Sequence, residues 1–230
     1  MNEAGRIRPV RRTRPLPVRA AAAVPQGPPA GLVAPDLRPP DLRPLTPAVL
    51  AVAGKYGYDA EHARKVADLA LQVFESLPQV HGLGPEWAPL LQHAALLHDI
   101  GYFIHARRHH RHSQYLIGHD ALLSDYPQPW REALGLVARN HRKRPRPAPR
   151  AWGPERVRAV LGLAAILRIA DGCDYGHDAT ARIAALRIRR GGLEVALSGV
   201  SLDGRARILR RKSRLFARTY ALPVTFIVQA

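Results

Sequence analysis

The sequence predicts a mainly α-helical protein: a bundle of helices with a small β-β-α-β unit at its C-terminal end. Two changes of hydrophobic period carry that prediction. Through residues 45–178 apolar side chains recur at three- and four-residue spacing, as on helices with one buried face. After about residue 180 the period drops to two, as on half-buried strands, with one more amphipathic helix before a final alternating run. A third observation bounds the folded part. Residues 1–44 are rich in Pro, Arg and Ala and keep neither period, so they read as a disordered basic arm that cannot bury enough apolar surface to offset its ordering entropy. The expected division is an arm over 1–44, a helical domain over 45–178 and a small α/β subdomain over 179–230.

The elements follow in order. TPAVLAVAGKYG reads as a helix capped by Thr46, with Pro47 in its first turn. DAEHARKVADLALQVFESL starts after Asp59, which has a cap's chemistry, and lays Val66, Leu69, Ala70, Val73, Phe74 and Leu77 along one face. Further helices fit PLLQHAALLHDIG, SQYLIGHDALL, PQPWREALGLVARNH and PERVRAVLGLAAILRIADGCD. Prolines forbid helix in the basic link RKRPRPAPRAWG. ARIAALRIRR and LEVALSG alternate on either side of Gly191-Gly192, which predicts a hairpin with a two-residue turn. DGRARILRRKSRLFARTYAL is a basic amphipathic helix, and PVTFIVQ is the last strand.

Composition narrows the function classes. The chain carries a formal net charge of +17 and a pI near 11.2, which favours an anionic partner such as nucleic acid, polyphosphate, a nucleotide or an acidic membrane surface. Coding bias that enriches Arg, Ala, Pro and Gly together produces the same charge, so charge alone names no partner. There is no base-reading motif and little aromatic interleaving, which argues against sequence-specific nucleic-acid recognition. The single cysteine, Cys173, excludes an internal disulfide and a cysteine-based zinc knuckle, and suits a reducing cytoplasm. AAAAV near the N-terminus is too short for a secretory core, and the apolar run 159–170 is too short to span a bilayer and contains Arg168. A cytoplasmic protein without membrane contact is expected; a homodimer is compatible with the sequence.

The chemistry concentrates around a dipeptide. His-Asp occurs at His98-Asp99, His119-Asp120 and His177-Asp178, but only the first ends an apolar helix and precedes a glycine, Gly101, that can release the backbone. Neighbours on a helix diverge by about 100°, so both side chains reach one ion only at a helix end. Other helices must supply the remaining ligands. His62 and Asp171 are the outstanding candidates, because an aspartate after LAAILRIA is costly to bury unless it binds a metal or is paired. Two imidazoles and two carboxylates suit a divalent ion such as Mn²⁺, Mg²⁺, Fe²⁺, Co²⁺ or Zn²⁺ with positions left for water.

The order His62, then His98-Asp99, then Asp171 on successive helices resembles the HD-domain metal-dependent phosphohydrolases. Within that superfamily, HARKVADLALQVF, LLQHAALLHDIG, HHRHSQYLI, ARNHRKRP and LAAILRIADGCD look like successive blocks of the helical C-terminal domain of exopolyphosphatases and guanosine-pentaphosphate phosphohydrolases. The resemblance covers about residues 45–230. It implies an HD-domain helical bundle, His98 and Asp99 as the catalytic pair, and a metal held by His62, His98, Asp99 and Asp171. Some HD branches hold two metals, and here His112 and His141 are the matching residues for a second, with Asp99 between them. In the family an actin-like pair of domains carries phosphoanhydride hydrolysis; here only the basic arm precedes Leu45, so that activity does not transfer as such. Two readings follow. One is a metal-dependent phosphohydrolase of a nucleotide, signalling nucleotide or polyphosphate. The other is a non-catalytic polyphosphate- or nucleotide-binding module.

Basic residues supply the phosphate contacts under either reading. Arg142 and Lys143 follow His141 directly, and Arg64 and Arg139 lie near proposed ligands in sequence. Arg207, Arg211, Arg214 and Arg218 recur along one face of the late helix as a polyanion stripe. The remaining histidines read as bystanders. His109 and His110 are expected at the mouth of the site or in solvent, and His93 in packing. His81, His105, His119 and His177 are expected to be ordinary surface or packing residues.

Overall fold

A computed structural model describes residues 38–189 and 191–229. The arm expected over 1–44 falls largely outside the described residues, and its last part belongs to the fold. Leu42 is fully buried, and a tight 3-10 turn over Arg43–Leu45 runs straight into helix α1, Thr46–Lys55. That turn removes Thr46 from the capping position: its hydroxyl instead bonds Nε2 of the buried His93 at 3.0 Å. By contrast, Asp59 caps α2 (Ala60–Ser76) as expected, accepting from the His62 backbone N–H.

The bundle is completed by a single helical turn α3 (Pro78–His81), then α4 (Ala88–Leu97), α5 (His109–His119), α6 (Trp130–Arg139) and α7 (Pro154–Cys173). The last is its axis. From Gly162 to Cys173 every residue of α7 is buried, because α2, α4, α6 and a later helix all pack around it. Such a helix has no polar face, and this explains why its one late carboxylate stood out in sequence. No helix among the described residues is long and apolar enough to cross a membrane.

Strands β1 (Arg182–Arg189) and β2 (Gly192–Ser198) pair antiparallel, and helix α8 (Ala206–Tyr220) then crosses to β3 (Val224–Val228), parallel to β2. The sheet order is β1-β2-β3. Arg189 pairs with Gly192, so Gly192 belongs to β2 rather than to the expected Gly191-Gly192 turn; Gly191, at φ +76°, supplies the left-handed residue such a turn needs. Helix α8 packs on α7 and thereby brings its basic face to the bundle.

One close approach determines how the site is built. Helix α5 starts at His109, four residues before the helical pattern suggested, after Arg108 in a left-handed conformation. Its first turn lies against Gly101, where an added Cβ would collide with the His109 carbonyl and the Ser113 N–H. Ser113 Oγ ties the two segments, accepting from Gly101 N at 2.9 Å and donating to His98 O at 2.7 Å. Gly101→Ala is therefore expected to destabilise the fold by about 1–3 kcal/mol, lowering Tm by roughly 3–10 °C in a thermal melt. An unchanged Tm would show that α5 is not seated on this glycine.

Candidate metal centre and anion cleft

Helix ends deliver the ligand-type residues, and they do so by a repeated device. His98 is the C-cap of α4, and its Nδ1–H donates to Ala95 O at 2.7 Å. His141 follows the end of α6, and its Nδ1–H donates to Ala138 O at 2.7 Å. His109 opens α5, and its Nδ1–H donates to Ala106 O at 3.1 Å. In each case the ring donates to the backbone carbonyl three residues back. The hydrogen bond places the ring proton on Nδ1 and turns Nε2 inward, where that of His98 has no partner and that of His109 faces Arg142 Nη1. His62 reaches the same state differently: its Nδ1 lies 2.7 Å from Oδ2 of the fully buried Asp174, and its ring stacks on His177 at 3.7 Å.

These lone pairs converge. Nε2 of His62, Nε2 of His98 and a carboxylate oxygen of Asp99 all lie within 4.8 Å of one another, as do ligand atoms of Asp99, His109 and His141. In the second cluster the separations are 3.2 Å (His109–Asp99), 3.5 Å (His141–Asp99) and 3.3 Å (His109–His141). In the first, His98 Nε2 is 3.4 Å from Asp99 Oδ2. Ligands about 2.1 Å from one ion, at angles between octahedral and tetrahedral, stand roughly 3.0–3.4 Å apart. The spacing fits a divalent cation. Nε2 of His62, Nε2 of His98 and Oδ1 of Asp99 are buried and have no hydrogen-bond partner, a state that is costly unless something electropositive sits among them.

Protonation states agree with that fit. Burial pushes the His98 imidazole down to about 4 and holds His141 well below its usual value, so both are neutral at pH 7. Burial alone would raise the Asp99 carboxyl, but His98, His109 and His141 around it hold it well below the carboxylate range. His98 and His141 thus face the Asp99 carboxylate as neutral imidazoles, the donor chemistry of a transition-metal site.

Above the cluster opens a cleft of about 880 Å³. From the link after α6 it takes Arg142, Lys143 and Arg144, and from α8 Arg211, Lys212, Arg214 and Arg218. With Arg168 these are eight cationic side chains, against only Asp99 and Asp171 among the acids lining it. Arg142 Nη1 lies 3.0 Å from His109 Nε2, placing a guanidinium directly at the second cluster. Arg168 donates to the carbonyls of Asn140 and Lys143, which fixes the link that carries His141 and Arg142.

The structure places the other sequence candidates as follows. His112 is half-buried on α5 and in neither cluster, whereas His109, at the start of that helix, lies beside Asp99 and His141. Asp171 lines the cleft but is in neither cluster, since its carboxylate is paired with Lys212. The carboxylate that supports His62 is Asp174. Arg64 is exposed on α2 and does not line the cleft, and Arg139 turns to Gln114 Oε1 at 2.9 Å instead. Of the stripe, Arg211, Arg214 and Arg218 line the cleft, while Arg207, near the start of α8, does not. Of the other two His-Asp pairs, Asp120 accepts from Lys55 Nζ and Tyr56 Oη and Asp178 from Thr180 and Arg205, while His177 stacks on His62 and lines the cleft.

Lys212 escaped sequence reasoning although a signal was present. It occupies the buried face of α8 with Leu209, Leu215 and Phe216, where a hydrophobic residue belongs. Burial pushes its ammonium down to about 7.

Fold and cleft together define a helical domain whose ligand-type floor lies beneath a rim of positive charge. The chain belongs to the family described as Ppx/GppA phosphatase, domain III, whose model matches residues 46–191. Among similar proteins are the guanosine-5'-triphosphate,3'-diphosphate pyrophosphatases of Pseudoalteromonas atlantica, 30% identical over 116 residues, and of Aeromonas hydrophila, 31% identical over 122. The matches cover 49% and 52% of this chain but only 22% and 24% of those proteins, so the chain spans about a quarter of the length of the curated relatives it matches.

Proposed function

We propose that this domain is an HD-type, metal-dependent phosphohydrolase centre acting on a phosphate ester or anhydride, with a nucleotide, signalling nucleotide or polyphosphate as substrate. The observation that carries the reading is the convergence of bare imidazole lone pairs on Asp99 at the floor of a cationic cleft. His62, His98 and Asp99 would hold one divalent ion, and Asp99, His109 and His141 a second. Such ions supply Lewis acidity and an activated water near neutral pH. The chain's own groups do the rest. Asp174 and the carbonyls of Ala95, Ala106 and Ala138 keep the imidazoles in the ligating tautomer. Arg142, Arg211, Arg214 and Arg218 grip the phosphoryl oxygens and spread their charge.

One observation favours the alternative of a non-catalytic polyphosphate- or nucleotide-binding module: Asp171, which the resemblance makes a ligand, is engaged by Lys212. A phosphatase panel run with Mn²⁺, Mg²⁺ and Co²⁺ separates the two. Metal-dependent turnover supports the enzyme, whereas metal-independent binding of polyphosphate without turnover supports the module and overturns the enzyme. The outer support of His62 offers a graded check. Asp174→Asn keeps the shape but weakens the hold on Nδ1, and is expected to lower Mn²⁺ affinity about 10- to 100-fold by calorimetric titration. Unchanged affinity would remove His62 from the ligand set.

A further inference from the structure

Lys212 reaches the cleft floor from inside packed protein. Its stem lies against α7 at Gly172, where an added Cβ would come within 3.2 Å of Lys212 Cβ. The glycine therefore makes room for a lysine between two tightly packed helices. At the far end Nζ pairs with Asp171 and lies 3.4 Å from the His141 carbonyl oxygen. Asp171 and Asp99 line the same cleft; Lys212 is ion-paired with Asp171, and the Asp99 charge also acts on it.

An ammonium has three donors. Asp171 and the His141 carbonyl engage two of them, and Lys212 itself lines the cleft. The Asp171 carboxylate, in turn, is the one acidic group lining the cleft that takes no part in the two ligand clusters. While Lys212 holds it, that carboxylate is withheld from any cation bound at Asp99.

We propose that Lys212 is a positioning residue of this centre, a tethered cation that competes with a divalent ion for Asp171 and offers its free donor to a phosphoryl group in the cleft. The inference rests on the metal-centre reading above. It makes two predictions of opposite sign for one substitution, which a merely structural lysine would not produce. Removing the ammonium frees a carboxylate for the ion and takes a cation from the anion.

The test uses the whole chain, as wild type, Lys212→Met and Lys212→Met/Asp171→Asn, titrated with Mn²⁺ and, separately, with tripolyphosphate without metal. Lys212→Met is expected to bind Mn²⁺ about tenfold more tightly or better and tripolyphosphate about tenfold more weakly. The double variant, which lacks the released carboxylate, is expected to return to wild-type Mn²⁺ affinity. Thermal melts with and without Mn²⁺ give the same comparison independently, with the larger metal-induced rise in Tm expected for Lys212→Met. A wild type that binds Mn²⁺ while Lys212→Met binds it equally or more weakly overturns this inference alone. So does a gain that persists in the double variant. A wild type that binds no Mn²⁺ overturns the metal-centre reading first, and this inference with it.

Discussion

Asp99→Ala is expected to abolish metal-dependent phosphate hydrolysis and to eliminate Mn²⁺ binding, while His112→Ala leaves both unchanged. The contrast follows from geometry. Asp99 is the only residue common to both clusters, with Oδ2 3.4 Å from His98 Nε2 and Oδ1 3.2 Å from His109 Nε2. Without it, each ion would face neutral imidazoles alone, in a cleft whose other charges are nearly all positive. The loss should therefore exceed the roughly 10- to 100-fold that removal of an outer-shell partner costs. His109→Ala and His141→Ala are expected to weaken the second cluster only, leaving His62 and His98 able to hold one ion with Asp99. Equal effects of His112→Ala and His109→Ala, measured as Mn²⁺ stoichiometry and turnover, would contradict the assignment.

Neutralising Arg211, Arg214 and Arg218 together by glutamine should weaken binding of tripolyphosphate or a nucleoside triphosphate by about 10- to 100-fold, and flatten its dependence on salt. All three project from one face of α8 into the cleft, and no acid on that helix offsets them. The same substitution at Arg207, outside the cleft lining, is the control and should change little. Because these side chains are solvent-facing, the triple variant should fold normally, so a loss of affinity reads as lost charge. An affinity that survives unchanged would reassign the stripe to a solvated helix face.

Much of this arrangement was legible in the sequence, for identifiable reasons. The periodicity of α2 and α7 and the cap at Asp59 are local signals, and they placed His62 and the end of α7 correctly. His98-Asp99 was marked by sitting where an apolar helix stops, and His141 by the family resemblance. What the sequence does not resolve is the choice between near neighbours. Within HHRHS no periodic rule distinguishes His109 from His112, because the start of α5 is set by its seat on Gly101, a contact with residues remote in sequence. The partner of Asp171 was missed for a similar reason. Lys212 lies 41 residues further on, and only the packing of α8 on α7 brings them together. Arg139 was expected at phosphate from its nearness to His141, yet on a helix two residues' separation turns it to another face.

The most direct test of the metal centre is an anomalous difference map from crystals grown with Mn²⁺. A peak is expected within bonding distance of His62 Nε2, His98 Nε2 and Asp99, and at full loading a second peak among Asp99, His109 and His141. A map with no peak at Asp99, or with Mn²⁺ only at surface histidines such as His105 and His119, would contradict it.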